Sequence, residues 1–146
     1  MNIATQLRQE EGSVSHAYQD HLGYWTIGVG RLIDQRKGGG LSPDEVDYLL
    51  RNDSEAKTRE VFAALPWAKD LNEPRQAVLI GMAFQMGTAG LLGFKNTLAL
   101  IKAGRYTEAA AGMLNSLWAQ QTPGRATRMA RQMEIGTWQM RDTQKD

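Results

Sequence analysis

The sequence contains no cysteine. Disulfides and thiol chemistry are excluded, and stability must come from a packed core, as suits a reducing compartment or a protein that never relies on oxidation. No apolar stretch approaches the roughly 20 residues that a membrane-spanning helix needs, so stable membrane insertion is not expected. The first residues, MNIATQLRQEEG, lack the charged, apolar, small-residue order of an export signal. A target outside the cytoplasm is therefore expected to be reached with help. There is no internal repeat, no low-complexity tract and no Walker motif. Gly28-x-Gly30 has no third glycine at the required spacing and no surrounding parallel βαβ pattern, so it is not a dinucleotide fingerprint. The only two histidines, His16 and His21, lie close together without a further ligand pattern. They read as exposed polar residues, and no metal is expected.

What remains is ordinary globular material. The 146 residues are 42% hydrophobic and 23% charged, enough to build a real core in one compact unit of one or two lobes. The net charge of +1 hides an asymmetry. Residues 1–94 carry nine Lys/Arg against twelve Asp/Glu, and residues 95–146 carry eight against four. The basic C-terminal part fits contact with a polyanion (nucleic acid, an anionic surface or the bacterial wall), or equally a plain solvated face. Arg125, Arg128 and Arg131 recur every three residues and would share one helix face. No docking helix or aromatic stacking platform accompanies them, so nucleic acid is not expected as a partner.

The chain reads as a short helix, a β region and then helices. Ile3 and Leu7 are apolar at helical spacing and Gly12 is a stop signal, which places Glu10 and Glu11 in the final turn. HAYQD-HLG-YWTIGVG holds two strand-like runs around a turn at Asp20 to Gly23. In the second run Trp25, Ile27 and Val29 share one face, predicted to be core, with Trp25 placed either in the small lobe or near the cleft. Tyr24, Thr26, Gly28 and Gly30 share the other, predicted to be open to close approach. DQRKGGG, residues 34–40, reads as a flexible loop. Ser42, Pro43 and Glu45 form a helix start with a capping box, and the pattern runs to about Leu65. Asn72-Glu73-Pro74 opens a helix through QAVLIGMAFQMG that is apolar nearly all round and is predicted to be buried. Helices follow at about 94–103, 106–118, 124–131 and 134–141, separated by Gly104, Pro123 and Gly136. Met82, Met86, Met113 and Met129, with Trp67, Trp118 and Trp138, read as core. The plan is α+β: a small β lobe at about 12–41, a connecting helix at about 42–65, and a helical lobe at about 66–146 that includes the first helix. A cleft between lobes is a usual substrate site.

One constellation suggests chemistry. Cleaving a glycosidic bond takes one protonated carboxyl to serve the leaving oxygen and one ionised carboxyl to serve the incoming water. Glu11 lies at a helix C-terminus beside Glu10, and both the dipole and the neighbouring charge favour its protonated form. Asp20 lies at a tight turn, more solvated and ionised. Thr26 on the next strand is placed to hold a water with Asp20. Singly, each has a commoner explanation: a solvated helix end, a turn residue bonding its own backbone, a plain strand residue.

Together they fall in a specific pattern. The stretch Glu11-Gly12-x5-Tyr18-x-Asp20-x2-Gly23-Tyr24-x-Thr26-Ile27-Gly28-x-Gly30 closely resembles the catalytic signature of the phage-type lysozymes, the family of the T-even phage endolysins. Further segments resemble the family in order: Ala83-Phe84-Gln85-Met86-Gly87, Gly93-Phe94-x-Asn96, Glu108-Ala109-Ala110, Trp118-x2-Gln121-Thr122-Pro123-x-Arg125-Ala126 and Gly136-Thr137-Trp138. The resemblance covers nearly the whole chain. It implies a single lysozyme-like domain with the active-site cleft between its lobes. By the same resemblance Glu11 is the proton donor, Asp20 and Thr26 position the attacking water with inversion, and Leu32, Phe84, Gln85 and Thr97 contact substrate. Arg125 is the arginine near the glutamate.

The resemblance further implies hydrolysis of the β-1,4 bond between N-acetylmuramic acid and N-acetylglucosamine, in a monomer. The enzyme would be held in the host bacterial cytoplasm until a holin-like membrane lesion releases it to the wall. No cofactor is expected, since two carboxyls, a water and sugar contacts suffice. The sequence departs from the family at Arg31, where the T-even enzymes have a histidine in a salt bridge, and at Thr97, which replaces a serine. Gly112 replaces a sugar-contacting asparagine, and the loop after Leu32 is much shorter. A non-catalytic wall-binding module would not need Glu11, Asp20 and Thr26 together. A transglycosylase would not need the water-holding pair.

Overall fold

The computed structural model of the protein describes residues 2–35 and 38–140. The chain forms two compact units, Met1–Leu50 and Arg51–Asp146.

The first unit begins with α1, Ile3–Glu11, capped by the Asn2 side chain, which accepts from the Thr5 amide at 2.9 Å. Gly12 ends the helix at φ 79°, a backbone that favours glycine, while its amide still donates to the Arg8 carbonyl at 2.9 Å. Glu10 and Glu11 thus lie in the last turn, as predicted. Three antiparallel strands follow in the order β1 (Val14–Gln19), β2 (Trp25–Gly28) and β3 (Arg31–Leu32). The first two and their turn match the sequence pattern. The third has no counterpart in it, because two residues are too few to show a period.

The predicted faces of β2 are reversed. Trp25 is 49% exposed, whereas Thr26 is only 3% exposed and is the one buried residue among those described in this unit. The register explains it. Thr26 is the central residue of a row across the sheet, opposite Tyr18 on β1 and Leu32 on β3. Directly opposed side chains lie on one face and cover the residue between them. The glycines beyond β3 are not a loose tether: Gly39 and Gly40 donate to the carbonyls of Asp34 and Leu32 at 3.1 and 2.8 Å. Arg36 and Lys37 of this predicted loop lie outside the described residues.

Helix α2, Pro43–Ala64, starts where the capping box requires. The Glu45 carboxylate accepts from the Ser42 amide at 2.8 Å, and the Glu45 amide donates to Ser42 Oγ at 3.3 Å. The helix begins in the first unit and ends in the second.

The second unit is helical: a short 3₁₀ turn (Pro66–Asp70), then α3 (Glu73–Leu92), α4 (Lys95–Lys102), α5 (Tyr106–Leu114), α6 (Leu117–Gln121) and α7 (Pro123–Ile135). Its core includes Val61, Val78, Leu79, Met82, Leu91, Ile101, Met113, Trp118 and Met133, with Met86, Met129 and Trp67 packed against it. Helix α3 is not buried all round. It breaks at Gly87, which has φ 83°, and leaves Phe84 43% exposed.

Three further expectations are corrected. The helix predicted for 106–118 is two helices, because Ser116 accepts from the Ala119 amide at 3.1 Å and caps a new start. The helix predicted for 134–141 does not form over its described residues. Helix α7 instead runs on to Ile135, and Gly136, in the left-handed region at φ 71°, stops it. Residues beyond that stop leave the core, so Trp138 is 53% exposed. Its last predicted residue, Arg141, lies outside the described residues. No single helix among those described is long and apolar enough to cross a membrane.

Candidate active site

Glu11 is the last residue of α1, and Gly30 lies in the turn joining β2 to β3. The Glu11 carboxyl rests against the Gly30 backbone: a Cβ at position 30 would stand 2.9 Å from Glu11 Oε2 and 3.2 Å from its Cδ. The Glu11 side chain is otherwise exposed.

Asp20 is held by its own turn. Its Oδ1 accepts from the amides of Leu22 at 2.9 Å and Tyr24 at 2.8 Å. These two bonds fix the carboxylate's orientation, and Oδ2 has no hydrogen bond among the described residues. The Thr26 hydroxyl donates to the Tyr24 carbonyl at 3.0 Å, and the Asp20 amide donates to that same carbonyl at 2.8 Å. The peptide groups of Tyr24 therefore tie Asp20 to Thr26. The Thr26 proton is spent on the backbone, so its hydroxyl oxygen presents only lone pairs to a visitor. In the sequence Tyr24 reads merely as a residue of the open face. Its part is played by main-chain atoms, which carry no side-chain signature.

Arg31 finds its acid in Glu45, Nη1 to Oε1 at 2.6 Å, and also donates to the Gly40 carbonyl at 3.1 Å. The Arg31 guanidinium, aided by the Ser42 amide, holds the Glu45 carboxyl down at about 2. The pair joins the start of β3 to the start of α2.

Leu32 is half-buried on β3 of the same unit. The other predicted contact residues belong to the second unit. Gln85 is exposed on α3, and its Oε1 accepts from the Trp118 indole N–H at 2.9 Å. Trp118 in turn meets Phe94 edge-on, with ring centres 6.2 Å apart. Thr97 is 7% exposed and lines a pocket of about 750 Å³ with Phe94, Lys95, Asn96, Gly112 and Trp118. A Cβ at Gly112 would come 2.7 Å from Thr97 Oγ1, so the missing side chain at 112 is what admits the threonine hydroxyl. Arg125 is half-buried and donates from Nη2 to the Gly81 carbonyl at 3.2 Å. Lys95 and Asn96 add a cation and an amide to the pocket; Asn96 falls in a segment that resembles the family, whereas nothing in the sequence pattern marks Lys95. His16 and His21 are exposed.

Comparison with known proteins adds the decisive observation. The model of the phage lysozyme family matches residues 8–134. The chain belongs to the phage lysozyme family. Membership makes it a glycoside hydrolase, an enzyme of peptidoglycan hydrolysis. The chain is 30% identical to probable T4-type lysozyme 1 of Dictyostelium discoideum, over 93% of its own length and 95% of that protein. It is similar also to parts of larger proteins. It is 31% identical to the pre-baseplate central spike protein Gp5 of Enterobacteria phage T4, over 88% of this chain and 27% of Gp5. With the peptidoglycan hydrolase gp36 of Pseudomonas phage phiKMV it shares 30% identity, over 90% of this chain and 15% of gp36.

Proposed function

We propose that this phage lysozyme hydrolyses the β-1,4 bond between N-acetylmuramic acid and N-acetylglucosamine with inversion. Glu11 gives its proton to the departing glucosamine oxygen. A water donates one hydrogen to Asp20 Oδ2 and the other to Thr26 Oγ1, which leaves its lone pair for the muramic anomeric carbon. As the C–O bond forms, Asp20 takes the water's proton. The observation that carries the reading is the tie of Asp20 and Thr26 to the Tyr24 peptide groups, which leaves one carboxylate oxygen and one acceptor-only hydroxyl for such a water. Two acceptors on the same water orient it for attack, the work that an inverting mechanism demands of its second carboxylate.

Leu32, Phe84, Gln85, Thr97 and Arg125 serve the substrate in this reading. Exposed Phe84 offers a face to a sugar ring, Gln85 an amide oriented by Trp118, and Thr97 a hydroxyl at the pocket. Arg125 supplies positive charge toward an anionic polymer. The enzyme works as a monomer without a cofactor. It serves phage-driven lysis, waiting in the host cytoplasm until a holin opens the membrane.

The test is clearance of isolated peptidoglycan by wild type beside Glu11→Gln, with analysis of the released sugars. Wild type should clear the suspension and yield reducing ends that first appear as the α-anomer, and the variant should leave it turbid. Anhydro-sugar products, β-anomers, or equal clearance by Glu11→Gln would overturn the reading.

A further inference from the structure

We infer that Gly30 is a positioning residue for the Glu11 carboxyl, its missing side chain being the seat on which the acid rests. The inference builds on the acid role proposed for Glu11. Two glycines flank Val29, and both have φ 69°. Backbone conformation alone explains each of them equally, since either would strain an alanine. Their surroundings differ. A Cβ at Gly28 would meet nothing within 4 Å, whereas a Cβ at Gly30 would meet Oε2, Cδ and Cγ of Glu11 at 2.9, 3.2 and 3.3 Å. The three nearest contacts at position 30 all come from that one side chain.

The Glu11 side chain makes no hydrogen bond or ion pair among the described residues, and the Gly30 backbone is what its carboxyl packs against within this unit. The group that would have to yield to a methyl is the far end of a flexible side chain. Backbone and core need not move. A methyl at 30 therefore displaces the acid while costing the fold little beyond the φ strain that position 28 shares.

The two glycines thus form a matched experiment. Gly28→Ala and Gly30→Ala should lose similar thermal stability. Only Gly30→Ala should lose about 100-fold in kcat, at little change in KM, the scale expected when a reacting group is displaced by about 1 Å. In protein carrying ¹³C-carboxyl glutamate, the Glu11 signal should move in Gly30→Ala and stay in place in Gly28→Ala. Should the alanine variants fold poorly, Gly28→Asn and Gly30→Asn repeat the comparison, because asparagine tolerates positive φ. Equal kcat in the paired variants, or an unmoved Glu11 signal, would overturn the inference even if Glu11→Gln is inactive. Full activity in Glu11→Gln would instead remove the acid role on which it stands.

Discussion

Arg31 reaches across from β3 to Glu45 in the first turn of α2, at 2.6 Å, where Glu45 is also closing a capping box with Ser42. One carboxylate thus serves a helix start and a strand. Its value is depressed from an ordinary 4.5 to about 2 by the Arg31 hydrogen bond first and the Ser42 amide second. A carboxyl lowered on folding stabilises the fold fully above its unfolded value, and that contribution disappears as pH falls through the folded value. Wild type and Glu45→Gln should therefore differ in Tm above about pH 4.5. The difference should shrink between that pH and about 2, and close below it. Because the pair is exposed, salt should also narrow the gap. A Tm difference that stays constant from pH 6 to pH 2 would contradict the assignment.

Asp20 has two tasks that substitution can separate. Asp20→Asn keeps an oxygen for the Leu22 and Tyr24 amides but cannot take a proton from water. Its stability should remain within about 1 kcal/mol of wild type, while kcat falls by about 10²–10⁴, the usual worth of a general base. Asp20→Ala should lose about 2–3 kcal/mol of stability as well, because two backbone amides lose their acceptor. Urea unfolding and peptidoglycan clearance together read both effects.

Thr26→Val tests the hydroxyl without changing shape. The Tyr24 carbonyl loses the Thr26 hydroxyl as a donor, at a cost of about 1 kcal/mol. The attacking water loses one of its two acceptors, and kcat should drop by at least about tenfold, since 1.4 kcal/mol of transition-state stabilisation is a factor of ten. Thr26→Ser, which retains the hydroxyl, should restore most of it.

The C-terminal end of α7 is closed by Arg75, whose Nε and Nη2 donate to the carbonyls of Met133 and Glu134 at 2.7 and 2.9 Å. The guanidinium lies 3.6 Å from the centre of the Tyr106 ring. A Cβ on Gly136 would stand 2.8 Å from Arg75 Cζ, so the glycine's φ and its empty side both matter. Arg75→Met should cost about 2–3 kcal/mol by urea unfolding, from two charge-assisted hydrogen bonds and a cation–π contact partly offset by solvent. Gly136→Ala should destabilise by a similar mechanism, and the double variant by less than the sum of the two, because both act on one contact.

Much of this is legible in the chain itself. The capping box at Ser42 and Glu45, the Gly12 stop after Glu11, the Asp20 turn and the strands beside it all arise from contacts among near neighbours. Local chemistry writes such features into a few consecutive residues. Sequence pattern fails where a distant partner decides. Thr26 is buried and Trp25 exposed because Tyr18 and Leu32 flank the centre of a three-stranded row, and alternation alone does not say which face is covered. Trp138 is apolar yet lies beyond the Gly136 stop, outside the core that composition suggests for it.

The sequence by itself determined the family, the α+β plan and the residues proposed for catalysis, since those rest on residue types at set spacings along a short stretch. Tertiary structure decided what those residues touch: Glu11 on Gly30, Asp20 and Thr26 on the peptide groups of Tyr24, Arg31 on Glu45, Thr97 in the space left by Gly112. The reason is physical. Spacing along the chain selects which groups are available, but contact between them depends on register, chain reversal and the room left by absent side chains. Only the folded backbone settles those three.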